Sequence, residues 1–348
     1  MSSLGTLVVA PGWVAGEHIR AFNGNPHTHV AAIAAFRDSE RKRAEEYQKA
    51  FGFECRVTDN YLDALKMEEV EIVTICSINS LHYEHTLAAL KAKKHVLVEK
   101  PIALTLEQVS ELCVLARQAE AATMVGHIVR YFPAIRSMHN LVEKGALGEV
   151  FHVETDYWHQ LSAGWKTRKE TAGGALEMGG IHAVDLMRYM MGEARKAEYV
   201  SALWSGPFHR MDYDYKPNVS ALVRFEGGAT GRVGVSVEAQ MPYVFHLQVM
   251  GTKGTVREKG IYSTGLFPGV KEFVQLTEHY PDDGNVTRHP FDIEIADFVE
   301  AVRSGTPCQL DFRYAKATYE LLFAIGRSAA EGTPVALRGG KGAFCMPY

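Results

Sequence analysis

Glu99-Lys100-Pro101 is the stretch of this chain best equipped for chemistry. It closes the apolar run Val96-Leu97-Val98, so a buried strand would deliver one acid and one amine at its carboxyl end. The proline stops further pairing because it has no N–H to donate. Open parallel sheets bind ligands at that edge, where a fixed ammonium can polarise a hydroxyl or carbonyl. Two solvated charges at a strand end would read the same way in isolation. A second group is Ala10-Pro11-Gly12-Trp13-Val14-Ala15, in the place of a Gly-x-Gly-x-x-Gly turn. Gly12 keeps the glycine that lets a backbone approach a pyrophosphate at a helix N-terminus, and Ala15 supplies the small third residue. Ala10 and Pro11 depart from the pattern, and a plain strand–turn–helix fits the same residues. The third group is Phe36-Arg37-Asp38. The acid expected at the end of a second strand, to grip ribose hydroxyls, is missing there. Arg37 beside the gap could receive a 2′-phosphate, or be a solvated charge at a helix start.

The elements that must hold these groups alternate regularly. Strands are predicted at 6–10, 29–36, 71–76, 96–98 and from 124, with helices at 14–22, 39–51, 82–91 and 105–121. Thr105, with Gln108 three residues on, marks a helix start. This rhythm predicts a parallel sheet with helices on both faces. Beyond residue 130 it changes. A helix over 133–144 ends at Gly145, and strands follow at 149–158, 197–205, 217–226, 229–238, 243–251, 253–258 and 271–277. Helices are predicted at 180–191, 292–304 and 313–331. Many strands with few helices indicate a second α+β unit built on an open, mostly antiparallel sheet. In 229–238 the apolar set Val233, Val235 and Val237 alternates with Arg232, Ser236 and Glu238. One face of that sheet should therefore pack on helices, leaving the other for a second copy in a homodimer or homotetramer.

Composition narrows the class. The 348 residues are 47% hydrophobic and 22% charged, with a net charge of −4 and no basic stripe, which argues against nucleic acid as a partner. No run approaches the ~20 apolar residues of a membrane span. Five scattered cysteines without a Cys-x-x-Cys, and no basic-then-apolar leader, fit reduced thiols in a cytoplasmic protein. The His82/His85 pair lacks the Cys or acid spacing of a zinc site, so no metal is expected. No Gly-x-Ser-x-Gly supports Ser-His-Asp hydrolysis.

Taken together, these stretches resemble the glucose–fructose oxidoreductase / inositol dehydrogenase / MocA (Gfo/Idh/MocA) family. The matching segments are Ser77-Ile78-Asn79-Ser80-Leu81-His82, Glu99-Lys100-Pro101, Val125 to Tyr131, Gly145 to Val150, and Gly173-Gly174 through Gly180-Ile181-His182-Ala183-Val184-Asp185. The resemblance covers nearly the whole chain. It implies a Rossmann unit over 1–128 that binds NADP or NAD, with Arg37 tipping the expectation towards NADP. A unit over 129–348 would bind substrate and form the oligomer. Gly12, Trp13, Val14, Arg37, Ser77, Asn79, His82, Glu99 and Lys100 would hold the cofactor. Lys100 would bind the reacting hydroxyl, and His182 would be the general base in oxidation of a sugar, cyclitol or sugar derivative. Tyr157, Trp165, Lys166 and Met178 would complete the substrate pocket, with Trp165-Lys166 favoured over Arg168. Many relatives carry an aspartate four residues before the histidine, where this chain has Met178. Either Glu177 moves in, or the site works with lysine and histidine alone. That departure keeps open an NAD-assisted glycosidase or lyase acting through a transient keto-sugar. A non-catalytic dinucleotide-binding regulator is a third reading, disfavoured by the retained Lys100 and His182.

Overall fold

The computed structural model describes residues 3–161, 164–208, 212–278, 280–281 and 285–337. The last residues assigned to the second unit, 338–348 with Cys345, lie outside the described residues. The first half alternates strand and helix: β1 Leu4–Val9, α1 Trp13–Gly24, β2 Thr28–Ala34, α2 Asp38–Phe51, β3 Arg56–Thr58, α3 Tyr61–Ala64, β4 Val70–Ile75, α4 His82–Lys91, β5 His95–Glu99, α5 Leu106–Ala119 and β6 Thr123–Gly126. Its six strands pair in the order β3-β2-β1-β4-β5-β6, every pair parallel. The order reverses between β1 and β4, which opens a crevice at their carboxyl ends. Leu7, Val8, Ile72, Val73, Val96, Leu97 and Val98 are buried, as strands covered on both faces require. The Thr105 hydroxyl accepts the Gln108 amide at 3.2 Å, while the Gln108 side chain accepts the Leu104 amide at 3.3 Å, which fixes the start of α5.

The second half contains α6 Pro133–Glu143, β7 Val150–Trp158, α7 Lys169–Ala172, a π-helical turn Leu176–Gly180, α8 Ile181–Met191, β8 Ala197–Ser205, β9 Asn218–Phe225, β10 Thr230–Ser236, β11 Val244–Gly251, β12 Gly254–Arg257, β13 Gly260–Ser263, β14 Val274–Gln275, α9 Phe291–Ser304, α10 Phe312–Glu331 and β15 Val335–Ala336. The strands form one sheet ordered β14-β13-β12-β11-β7-β10-β9-β8-β15. Only the central β7–β10 pair is parallel. The alternation is clean in β9, where Val219, Ala221, Val223 and Phe225 are buried; in β10 Val233 and Val235 are buried as expected, but so are Ser236 and, beyond it, Glu238, whose carboxylate accepts the Phe208 amide and the Asn218 side chain. Thr155 of β7 donates to the Ala183 carbonyl of α8 at 2.9 Å, which locks this face onto the helix. The opposite face presents Leu203, Leu222 and Arg232, the last bonded to Asp156 at 2.7 and 2.8 Å.

The elements absent from the sequence reading, β3, α3, α7, β13 and β15, are each four residues or fewer, too short to show a period. The strand expected over 271–277 shrinks to Val274–Gln275, which pair with Ile261 and Gly260 of β13. The helix expected from 180 is preceded by a π turn, which Gly173 and Gly174 lead into with φ of 88° and 150°. Among the described residues, no helix is long and apolar enough to cross a membrane.

The closing helices join both sheets. Arg20 of α1 meets Asp292 of α9 at 2.9 Å, and Tyr131 donates to Asp297 at 2.6 Å. In α10, Tyr319 accepts the Ile102 amide at 2.9 Å, and Ser328 accepts the Ala202 amide at 3.0 Å.

Candidate active site

A cleft of about 470 Å³ opens where the carboxyl ends of β1, β4 and β5 face the second sheet. Gly12, Trp13, Val14, Arg37, Ser77, Asn79, His82, Glu99, Lys100, Tyr157, Trp165, Lys166, Met178 and His182 all line it. Residues far apart in the chain thus meet in one place. Trp158, which follows Tyr157 on β7, and Arg168 are not among the residues that line it. Trp158 lies against Gly234 on the other face of the sheet, and Arg168 donates to the Asp212 carbonyl at 3.1 Å.

One end of the cleft is built from the first turn. Gly12 has an extended backbone, φ −77°, and a Cβ placed there would meet nothing closer than 3.8 Å. Neither strain nor packing demands glycine here; its bareness leaves room in the cleft. The following helix has no side-chain cap, so its first amides face the cleft unblocked. Both features fit a dinucleotide pyrophosphate. Ala10, in place of the first glycine, takes φ 61°, the left-handed region. The close helix packing expected of Ala15 falls also on Gly16, whose Cβ would lie 2.9 Å from the Tyr47 ring.

At the end of β2 the side chains differ from a bare cation beside a gap. Arg37 Nε donates to Glu40 Oε1 at 2.8 Å, and Glu40 Oε2 accepts the Phe36 amide at 2.8 Å. Phe36 stacks on His85, ring centroids 5.6 Å apart, and His85 bonds Ser77 at 3.0 Å.

The Glu99-Lys100-Pro101 turn is held from several sides. Glu99 bonds His18 Nε2 at 3.1 Å, and His18 Nδ1 meets Thr74 at 2.8 Å. Burial alone would raise the Glu99 carboxyl, but the His18 partner and the neighbouring Lys100 hold it below its ordinary value. His82 places both ring nitrogens on carbonyls, Pro101 at 2.6 Å and Ser77 at 2.8 Å, and so braces the turn. Asn79 donates to the Ala172 carbonyl at 2.9 Å and to the Met178 sulfur at 3.3 Å, tying the loop after β4 to the second unit.

Lys100 Nζ donates to the main-chain carbonyl of Met178 at 2.9 Å. The position where relatives have an aspartate therefore still holds the lysine, through its backbone. A neutral carbonyl stabilises an ammonium less than a carboxylate would. Burial, opposed by Glu99 and aided by the Lys166 charge, brings the Lys100 amine down to about 8. Glu177 does not move in. It lines a neighbouring cavity with Trp204 and Tyr215, where burial pushes its carboxyl up to about 7.

His182 opens α8 and is 6% exposed. Burial, then the nearby Lys100, His127 and His289, hold its imidazole well below the ordinary value, so it is neutral at neutral pH. The His127 ring stands edge-on to it at 6.1 Å, and the Tyr157 ring is near parallel at 6.4 Å. Tyr157 itself needs Gly179, since a Cβ there would fall 2.0 Å from the Tyr157 ring. Its hydroxyl bonds His159 at 2.9 Å.

The sequence reading missed several residues of the cleft: Glu40, Arg43, Cys76, Tyr243, His289 and Phe291. Glu40 carried a usable signal, because an acid at the third position of a helix reaches back towards its start. His289, just before α9, and Phe291, its first residue, carried none.

Comparison with known proteins now bears on this geometry. Residues 4–127 match the model of the oxidoreductase family with an NAD-binding Rossmann fold, and residues 135–257 match the GFO/IDH/MocA C-terminal domain. The chain belongs to the Gfo/Idh/MocA family. It is an oxidoreductase, with relatives that act on sugars and cyclitols. The myo-inositol 2-dehydrogenase of Thermotoga maritima is 26% identical over 318 residues, covering 88% of this chain and 91% of that protein. The levoglucosan dehydrogenase of Pseudarthrobacter phenanthrenivorans is 26% identical over 290 residues, covering 74% of this chain and 73% of that protein. Among solved structures, GenD2 from gentamicin A biosynthesis in complex with NAD superposes with a TM-score of 0.83 at 26% identity, covering 97% of both chains.

Proposed function

We propose that this enzyme interconverts a secondary hydroxyl and a ketone on a sugar, cyclitol or sugar derivative, with Lys100 and His182 as its catalytic residues. The observation that carries the reading is that the Lys100 ammonium and the neutral His182 imidazole face one cleft, whose far end is the bare Gly12 turn. A nicotinamide cofactor bound there supplies the hydride acceptor. Residues 1–128 hold it, and residues 129–348 hold the substrate.

Each side chain has work it is suited to. Lys100 has three N–H groups and gives one to the Met178 carbonyl, so two remain to grip the reacting oxygen. His182 is kept neutral and can take the hydroxyl proton. Glu99 stays ionised and, through His18, fixes the strand end that presents Lys100. Trp165 and Tyr157 offer rings to the C–H face of a sugar, and Lys166 offers an ammonium to its hydroxyls.

A second reading is favoured by one observation: Lys100 sits buried against a carbonyl, and burial brings its amine down to about 8, so part of it is a free amine near neutrality. Such an amine can remove a proton beside a transient ketone, as a lyase or glycosidase with a closed redox cycle requires. The 2,7-anhydro-N-acetylneuraminate hydratase of Escherichia coli is 30% identical over 191 residues, covering 53% of this chain and 49% of that protein.

Absorbance of reduced nicotinamide over a panel of sugars and cyclitols tests the first reading; net accumulation is expected. Products without net reduction would support the second. Lys100→Met should abolish turnover while cofactor affinity stays within about tenfold. His182→Ala should slow the chemical step by ~10²–10⁴. Full activity in either variant overturns the assignment of that residue.

A further inference from the structure

Strand β2 ends in Phe36, which has no group to hold a ribose hydroxyl. A carboxylate bonded to that strand end comes instead from the first turn of α2. Glu40 is 5% exposed and lines the cleft beside Gly12, Trp13 and Arg37. Its Oε2 accepts the Phe36 amide at 2.8 Å, which pins the carboxylate to the end of β2 rather than leaving it along the helix surface. Its Oε1 accepts Arg37 Nε at 2.8 Å, and a second bond from the same guanidinium closes the pair.

We propose that Glu40 is the residue by which this enzyme selects NAD over NADP. The proposal rests on the oxidoreductase reading above and adds the cofactor to it. An ionised carboxylate is acceptor-only, and each oxygen has more than one lone pair. Glu40 can therefore keep its two present partners and still accept a hydroxyl from the cleft. The 2′-hydroxyl of NAD is such a donor. The 2′-phosphate of NADP has no proton to give and brings a like charge against a buried anion. Arg37 offsets this only in part, because two of its guanidinium nitrogens already serve the same carboxylate. The bond to the Phe36 amide shows that Glu40 also caps the helix. That role needs only an acceptor, which glutamine retains, so Glu40→Gln removes the charge and spares the cap.

Dissociation constants of NAD, NADP and 2′-deoxy-NAD, measured by calorimetry on the wild type and on Glu40→Gln, test the proposal. The wild type should prefer NAD over NADP and lose roughly 10–100-fold in affinity for 2′-deoxy-NAD, the worth of a hydrogen bond to a charged group. Glu40→Gln should narrow the NAD/NADP ratio by about tenfold or more, chiefly through tighter NADP binding, and should discriminate less against the deoxy analogue. A wild type that prefers NADP, or a variant that weakens both nucleotides alike, overturns it. If neither nucleotide binds the wild type, the oxidoreductase reading fails first, which is a distinct result.

Discussion

An unperturbed imidazole titrates near ~6.5 and an unperturbed lysine near ~10.4. In this cleft both bases are pushed down, first by burial and then by neighbouring cations. The two forms that the proposed roles require, neutral His182 and charged Lys100, therefore coexist over a window that runs from well below 6.5 up to about 8. Oxidation should be flat through neutrality and fall at alkaline pH with an apparent pKa of about 8, as Lys100 loses its proton. Lys166→Met removes a like charge that depresses Lys100, so the alkaline limb of kcat/KM should move to higher pH. An unmoved limb would mean that it belongs to another group. A second prediction concerns strain. Ala10 holds φ 61°, a conformation that costs a non-glycine residue ~1 kcal/mol or more. Ala10→Gly should raise stability to denaturant by about 1 kcal/mol, less the added freedom of the unfolded glycine. A loss of stability would show that the Ala10 methyl contributes more by packing than it costs in strain.

Helix α8 is the element on which the site turns, and its attachments explain its accuracy. The π turn before it presents the Met178 carbonyl to Lys100, while Gly179 lets the Tyr157 ring lie against the same turn. One turn into α8, Asp185 takes paired bonds from Arg130 at 2.6 and 2.7 Å, both side chains being almost fully buried. Asp185 of the Gly-x-His-x-x-Asp segment is thus an anchor to the segment after β6, and His182 shares its helix. Burial alone would raise the Asp185 carboxyl, but the Arg130 charge holds it at about 2. Because the folded value lies below the ordinary ~3.9, this contribution is present above pH ~4 and is lost as pH falls through about 2. Arg130→Ala leaves a buried carboxylate without its paired cation, held only by the Thr318 hydroxyl and the nearby Arg188 charge, and should cost ~3–5 kcal/mol, read by chemical denaturation. A cost under ~1 kcal/mol would show the pair to be dispensable.

For the molecule as a whole, the outer face of the nine-stranded sheet is exposed, among the described residues, where it carries Leu203 and Leu222. Leu203 is 69% and Leu222 61% exposed on adjacent strands β8 and β9, with the Arg232–Asp156 pair two strands on. Apolar side chains rimmed by ion pairs suit an isologous contact between identical sheets. A dimer or tetramer is expected by light scattering at micromolar concentration, and Leu203→Glu with Leu222→Glu should shift it towards monomer. A monomeric wild type would reject this use of the face.

Much of this protein was legible in its residues. Buried parallel strands must be apolar throughout, so Leu7 to Val9 and Val96 to Val98 announced themselves, and the half-buried strands of the second sheet showed a period of two. Gly12, Lys100 and His182 stood out because their types are chemically rare in those local settings. What the sequence could not express was distance. That Met178 offers its carbonyl to Lys100, that Glu177 turns into another cavity, and that His127 and His289 lower the His182 imidazole depend on side chains brought together from different elements. The same holds for Arg37, which looked like a free cation until α2 brought Glu40 back onto it. Local pattern follows from the periodicity of backbone hydrogen bonding and burial. Partners of a charge are chosen by packing, which a linear sequence does not record.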